Sequence, residues 1–247
     1  AEGGQDTDPT DNSELALRLV VVGAVGDQSG FVGCHRIADG EAQWQVRGLE
    51  AVPVCVAADG RWIYAGDDAG RVTVYRATDG QQVWSRQVHT KLVTALVVLP
   101  GGVIASADWG GKIVLSRQRD GAELHSFQQH RDRVSDLGAW AQQNPLRLFS
   151  SGWDGTVRLW YPEQFRLVRF VQLNEPAVGM EVIDGRHIVA ANPQGDLLWI
   201  DMDSAQVTRA EPSGLSYVHA MLVVPSDRLL VSDGLRHVRS LPVQHHR

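Results

Sequence analysis

Residues 150–160 read SSGWDGTVRLW, two short runs that favour β-strands, joined by a polar turn that ends in glycine. Three further stretches have the same form: AGDDAGRVTVY (65–75), SADWGGKIVLS (106–116) and AANPQGDLLWI (190–200). The turn glycines recur at intervals of 41, 44 and 40 residues, at Gly70, Gly111, Gly155 and Gly195. A fixed period of this length is typical of architectures in which one small supersecondary unit is repeated and stacked.

The period extends in both directions. Gly30 lies 40 residues before Gly70, and one more step forward reaches SDGLRHVRSL at 232–241, so the chain holds six units. Asp-Gly pairs, which tolerate positive φ and favour hairpins, recur in phase at Asp39-Gly40, Asp79-Gly80 and Asp120-Gly121. Each unit reads as four antiparallel strands, and no stretch has a sustained helical period. We therefore predict an all-β fold, a β-propeller of about six four-stranded blades.

The first and last units are shorter than the others. Strand-like runs in the first lie near 16–25, 31–37 and 42–47, and in the last near 219–224, 228–232 and 236–243. We expect either a six-bladed ring with incomplete end blades, or a ring that another chain or further sequence completes. The polar residues 1–13 predict an N-terminal tail, and residues 14–247 predict a single propeller domain.

Composition narrows the classes of function. The chain has 247 residues, 43% of them hydrophobic, and 23 basic and 29 acidic side chains give a net charge of −6. Without a broad positive field, nucleic acid is not an expected partner, and no apolar run is long enough for a membrane-spanning helix. Cys34 and Cys55 predict two buried thiols, with one disulfide as the alternative. A start at Ala1 fits a cytoplasmic protein or an exported one whose signal was cleaved, so the compartment stays open.

One unit carries a motif that points to a known family. The segment 150–160, preceded by HRDRVSDLGAW, resembles a repeat of the WD-repeat β-propellers, and the resemblance extends over about residues 15–243. In that family a histidine, a serine or threonine, an aspartate and a tryptophan form a hydrogen-bonded tetrad. The resemblance assigns these four structural roles to His130, Ser150, Asp154 and Trp160.

The other units match that motif only in part. His89 stands where His130 does, 41 residues earlier, but Gly110 takes the place of the aspartate and Ser116 that of the tryptophan. No other unit has all four residues, so the period and one well-matched unit carry the fold prediction.

In the family that the chain resembles, the turns after each second strand and the loops between blades lie on one face. Trp109 and Trp153 occupy equivalent turns of neighbouring units, two residues before the turn glycine. Exposed tryptophan beside charged groups is typical of interface hot spots, whereas the alternative is that both rings pack flat on the blade below. We expect both tryptophans to anchor a protein or peptide partner on this top face. The charges expected at its rim are Asp68, Lys91, Asp108 and Arg131.

We thus predict a non-catalytic scaffold for protein–protein interaction, alone or within a larger complex, with no cofactor and no metal. The sequence contains no GxSxG elbow, Walker-type loop or HExxH motif. The alternative is a propeller hydrolase or oxidoreductase that holds a metal or cofactor in the central channel. Ionisable side chains on the innermost strands that would serve such a site are Asp136, Glu181 and His219.

Overall fold

The computed structural model describes residues 18–24, 29–142, 144–224, 227–235 and 237–243. Its 22 strands form six antiparallel sheets of three or four strands, which confirms the predicted β-propeller. Over these ranges there is no α-helix, and the short 3₁₀-helix Pro162–Gln164 is not long enough to cross a membrane. The tail expected at 1–13 lies outside the described residues.

The six sheets follow one another along the chain and are numbered as blades 1 to 6. Blade 1 comprises β1 (Arg18–Ala24), β2 (Gly30–Arg36) and β3 (Ala42–Leu49), and blade 2 comprises β4 (Pro53–Ala58), β5 (Trp62–Asp67), β6 (Arg71–Arg76) and β7 (Gln82–Gln87). Blade 3 comprises β8 (Val93–Leu99), β9 (Val103–Asp108), β10 (Ile113–Arg117) and β11 (Glu123–Phe127), and blade 4 comprises β12 (Val134–Trp140), β13 (Arg147–Gly152), β14 (Thr156–Tyr161) and β15 (Arg166–Gln172). Blade 5 comprises β16 (Gly179–Val182), β17 (His187–Ala191), β18 (Asp196–Asp201) and β19 (Gln206–Pro212), and blade 6 comprises β20 (Ala220–Val224), β21 (Arg228–Ser232) and β22 (Val238–Pro242).

Burial within a blade explains the strand sequences. The two middle strands of blade 2, β5 and β6, are buried along almost their whole length, whereas the outer strand β7 is mostly exposed. A strand covered on both faces by neighbouring blades reads as a near-continuous apolar run, as IYAG and VTVY do here.

The two end blades have three strands each among the described residues, as expected from the sequence. A bulge between the third and fourth strands recurs in blades 2 to 5, after residues 74, 115, 159 and 199, and the same bulge lies after Cys34 between β2 and β3. Blade 1 therefore contains the second, third and fourth strands of the repeat, and blade 6 contains the first three. In this part of the chain no hydrogen-bonded ladder joins the two end blades.

Neighbouring blades bury each other's faces. Between blades 3 and 4, Ile113, Leu148 and Trp160 are fully buried in one apolar cluster. Cys34 belongs to the equivalent cluster between blades 1 and 2, and neither it nor Cys55 forms a disulfide. Stacking of this kind gives each sheet the apolar cover that a single blade lacks.

Two tryptophans on outer strands form hydrogen bonds with the following blade. The indole N–H of Trp44 donates to the carbonyl oxygen of Ala77 at 2.9 Å, and that of Trp84 donates to Gln118 at 2.9 Å. Each ring lies against the Asp-Gly turn of the following blade, at Gly80 and Gly121. Each of these tryptophans is therefore the spatial partner of an Asp-Gly turn in the following blade.

Candidate functional site

Blade 4 holds a buried polar network beneath its top turn. His130 Nδ1 lies 3.1 Å from both carboxylate oxygens of Asp154, and its Nε2 lies 2.7 Å from Ser150 Oγ. The indole N–H of Trp160 donates to the same hydroxyl oxygen at 2.9 Å. His130, Ser150 and Trp160 are nearly inaccessible to solvent, so each bond satisfies a polar atom that burial has removed from water.

The charges of this network follow from its surroundings. Burial lowers the pKa of His130, although Asp154 opposes that effect, so the ring is neutral at pH 7. Burial raises the pKa of Asp154, but hydrogen bonds from His130, Thr156 and the Arg131 amide outweigh it and hold that pKa well below its usual range. The neutral ring donates a hydrogen bond from Nδ1–H to the carboxylate, and its Nε2 accepts a hydrogen bond from the Ser150 hydroxyl. The contacts of Asp154 join the loop at His130 and Arg131 to the turn that carries Trp153.

Blade 3 contains nearly the same network, but its carboxylate comes from a different position in the sequence. His89 Nδ1 lies 2.9 Å from Asp108 Oδ2 and its Nε2 lies 2.7 Å from Ser106 Oγ. The expectation that Gly110 leaves this blade without its aspartate was wrong, because Asp108, two residues earlier, supplies the carboxylate. The expectation that Asp108 is a rim charge was wrong for the same reason: only 2% of the residue is exposed.

The centre of the top face carries an arginine between two indole rings. The guanidinium carbon of Arg133 lies 4.1 Å from the ring centroid of Trp109 and 3.6 Å from that of Trp153. Trp109 is 49% exposed and Trp153 is half-buried. Burial lowers the pKa of Arg133, which nevertheless stays charged at any physiological pH. The stack fixes the direction of both rings.

A cleft of about 230 Å³ opens beside this stack. Its walls come from blades 2 to 6, with Val54, Leu92, Thr94, Val134, Ser135, Val178 and Tyr217 beside the stack. Since residues of five blades meet there, the cleft is the mouth of the central channel. Thr94 Oγ1 is buried in it and has no hydrogen-bond partner among the described residues. Val54 and Tyr217 are 43% and 41% exposed, so the apolar surface continues outward.

The structure brings together only part of the set expected from the sequence. Trp109 and Trp153 share one arginine, whereas Asp68, Lys91 and Arg131 are exposed on the surrounding turns and loops. Sequence reasoning missed Arg133 and Tyr217. An arginine three residues after the tetrad histidine has no motif of its own, and its partners come from two different turns.

The carboxylates of the channel alternative are joined to neighbouring blades. Asp136 on β12 accepts the backbone N–H of Met180 at 3.1 Å, and Glu181 on β16 accepts that of Val223 at 3.3 Å. Each carboxylate thus ties one innermost strand to the next, while His219 is exposed. In the described ranges, no three His, Cys, Asp or Glu side chains lie in an arrangement that could hold a metal ion.

These two carboxylates predict a pH dependence of stability. Burial raises the pKa of Asp136 to about 6 and that of Glu181 to about 7. A carboxyl group with a raised pKa in the folded state binds more protons folded than unfolded, so its contribution to stability falls as pH rises from about 4.5 to 7. We expect Glu181→Gln, which keeps the acceptor for Val223, to match the parent at pH 4.5 and to be more stable by about 1–2 kcal/mol at pH 8, after allowance for screening.

Denaturant unfolding at both pH values measures this difference. The matched control is Glu163→Gln at an exposed position of the 3₁₀-helix Pro162–Gln164, which removes the same charge and is expected to change stability by less than about 0.5 kcal/mol at either pH. An equal effect of Glu181→Gln at pH 4.5 and pH 8 would contradict the assignment of a raised pKa.

Comparison with known proteins places the fold. Residues 28–238 match the family model PQQ_2, described as outer membrane protein assembly factor BamB. This is a propeller family other than the WD repeats that the sequence resembles. No curated protein matches the chain in sequence.

Many solved structures are similar in fold. Three of them are U3-55K (TM-score 0.73, 15% identity, 92% of this chain and 84% of that one), the WD40 repeats of RRP9 (0.73, 14%, 91% and 82%) and the computationally designed Ika8 protein (0.70, 19%, 86% and 64%). The chain thus spans 64% of the length of the designed protein. At these identities the likeness is one of fold.

Proposed function

This chain belongs to the β-propeller family described as outer membrane protein assembly factor BamB, and we propose that it is a non-catalytic scaffold that binds another protein at the top-face cleft. The observation that carries the proposal is the stack of Trp109, Arg133 and Trp153 at the channel mouth. Rigid blades hold the three side chains in place before a partner arrives, so little conformational entropy is lost on binding.

The composition of the cleft supports a protein partner. Tryptophan, tyrosine and arginine are the side chains most enriched at interface hot spots, and the cleft contains all three. Trp109, Val54 and Tyr217 expose apolar surface around an arginine, whereas a channel site for chemistry would need convergent ionisable groups.

Arg133 indicates what the partner supplies. Its guanidinium lies against both indole rings and makes no ion pair or hydrogen bond with any described side chain. A planar guanidinium without such a partner matches a carboxylate. The proposed partner therefore presents an extended segment with an acidic side chain for Arg133 and apolar groups for Trp109 and Tyr217.

The comparisons support the same class of function. An assembly factor works by binding other proteins, and WD40 repeats are the fold of two of the structural neighbours. We further propose that blades 3 and 4 are WD-type repeats, since both contain the histidine, hydroxyl and carboxylate network.

Loss of the two tryptophans tests the proposal. Binding partners are captured from the native source with the parent chain and with the Trp109→Ala, Trp153→Ala double variant. Truncating two central aromatic anchors is expected to weaken the binding of a captured partner by at least about 30-fold, since a single hot-spot residue contributes about 2 kcal/mol or more. The measurement is the dissociation constant of that partner for each chain.

Phe170→Ala is the matched control, because Phe170 is 51% exposed but lies on the outer strand β15. Arg133→Lys keeps the charge and loses the planar fork, so it is expected to weaken binding as well. A partner that binds the double variant and the parent equally would move the site away from this cleft.

The channel enzyme remains the second candidate, favoured by the two carboxylates with raised pKa values at the innermost strands. Metal analysis of the purified protein separates the candidates. Stoichiometric metal in the parent that is lost in Glu181→Gln would support the enzyme, and a folded protein that binds no metal would count against a metal-dependent one.

The proposed scaffold is also suited to be one subunit of a larger assembly, since the inner edge of β1 and the outer edge of β22 have no strand partner among the described residues. Such edges accept strands from other chains. Light scattering tests this part: a stable, folded monomer would count against an obligatory assembly.

A further inference from the structure

Blade 2 contains a cavity where blades 3 and 4 contain a buried histidine. The cavity measures about 500 Å³ and lies on the face of blade 2 that packs towards blade 1. Its walls are Leu49, Glu50, Ala51, Pro53, Ala65, Asp67, Ala69, Arg71, Thr73, Tyr75, Gln82 and Ser85. It shares no residue with the top-face cleft, so it is a separate feature of the molecule.

The repeat explains why the cavity exists. Leu49 is paired with Gly30 just as His89 is hydrogen-bonded to Gly70, so leucine occupies the histidine position of blade 2. Ala65 stands 41 residues before Ser106 and replaces the hydroxyl. The imidazole and its serine partner are both absent, and no larger side chain fills the space they leave.

The carboxylate of the network has nevertheless been kept. Asp67 Oδ1 accepts the backbone N–H groups of Ala69 at 3.1 Å and Arg71 at 2.7 Å, as Asp108 Oδ1 does from Gly110 and Lys112. In blade 3 the second oxygen, Oδ2, takes the imidazole N–H. In blade 2 the second oxygen of Asp67 has no hydrogen-bond partner among the described residues, although only 8% of the residue is exposed.

A tyrosine hydroxyl lines the same space. Tyr75 is 2% exposed, and its hydroxyl makes no hydrogen bond with any described residue. Thr73 and Ser85 bond to each other at 2.8 Å and also line the cavity, where Thr73 is the cross-strand partner of Ala65. Burial raises the pKa of Asp67, although hydrogen bonds from the Arg71 and Ala69 amides and the charge of Arg71 oppose that effect.

We propose that this cavity binds a small organic cation with N–H donors, such as an amine, amidine or imidazolium, whose donor group takes the place of the missing histidine on Asp67. The carboxylate accepts from the cation, the Tyr75 hydroxyl offers a further hydrogen bond, and Pro53 and Ala65 contact the apolar part of the ligand. A volume of about 500 Å³ lies within the range of small-molecule sites. A bound cation adds a charge-assisted hydrogen bond to the second carboxylate oxygen of Asp67.

Benzamidine and its neutral isostere benzamide are the probes. Each is titrated into the parent protein, and backbone amide shifts of Ala69, Arg71 and Thr73 are followed by NMR. We expect saturable shifts with benzamidine and binding at least about tenfold weaker with benzamide, because a charge-assisted hydrogen bond is lost.

Two variants identify the site. Asp67→Asn is expected to keep the turn, since Asn192 accepts hydrogen bonds from the equivalent amides of Gln194 and Asp196 in blade 5. The variant should weaken the binding of benzamidine by about 10- to 100-fold. Leu49→His with Ala65→Ser rebuilds the blade 3 network, fills the cavity and should abolish binding. No saturable binding of benzamidine to the parent, or equal binding to the parent and Asp67→Asn, would overturn the proposal.

Discussion

Replacing Trp160 with alanine is expected to lower the free energy of unfolding by about 3–5 kcal/mol. The indole is fully buried, its ring centroid lies 4.7 Å from that of Phe127, and its N–H donates to Ser150. The substitution opens a large cavity between blades 3 and 4 and also removes the donor from a buried hydroxyl. Denaturant unfolding followed by circular dichroism measures the loss.

Two matched variants show which part of the indole matters. Trp160→Phe keeps most of the apolar volume and removes the N–H donor, so it is expected to cost about 1–2 kcal/mol. Trp109→Ala removes the same side chain from the exposed top face and should cost less than about 1 kcal/mol. Equal losses from Trp160→Ala and Trp109→Ala would mean that Trp109 is a structural residue and not a binding one.

Gly70→Ala is expected to destabilise the protein by about 3 kcal/mol. Gly70 has φ +87°, and a Cβ there would lie 2.4 Å from the carbonyl oxygen of His89, a backbone atom that cannot turn aside. The left-handed conformation and the clash both oppose a side chain, and overpacking of this kind costs about 1–3 kcal/mol beyond the conformational term.

Gly60→Ala separates the two effects. Gly60 has nearly the same φ, +85°, but no atom lies within 4 Å of its Cβ position, so its cost should be about 1 kcal/mol. Unfolding of both variants under one set of conditions gives the difference. If Gly60→Ala and Gly70→Ala cost the same, the close approach of the following loop does not explain the repeated glycine.

The repeat made most of the fold predictable. The recurring glycine marks where the loop that enters the next blade crosses the turn, as Ala51, His89 and His130 do at Gly30, Gly70 and Gly111. That contact is local to each unit and recurs with it. Six sheets and three-stranded end blades could therefore be read from spacing and from the apolar runs alone.

The candidate site was predictable only where one turn determines it. The exposed turn position of Trp109 follows from the motif, but its contact with Arg133 depends on how two blades are set against each other. Asp108 was misassigned because alignment on the glycine puts Gly110 in the aspartate position, while the chain supplies the carboxylate from the end of β9. The cavity beside Asp67 exists because blade 2 lacks the histidine and the serine of the blade 3 network. The absence of a histidine produces no motif that can be recognised in the sequence.

Site-specific photo-cross-linking tests the central claim most directly. A photoreactive phenylalanine analogue replaces Trp109 in one form of the chain and Phe170 in another, and each form is irradiated in its native source. If the top-face cleft binds a protein partner, position 109 will give one major cross-linked protein and position 170 will not. The same cross-linked protein at both positions, or at position 170 alone, would contradict the assignment of the cleft.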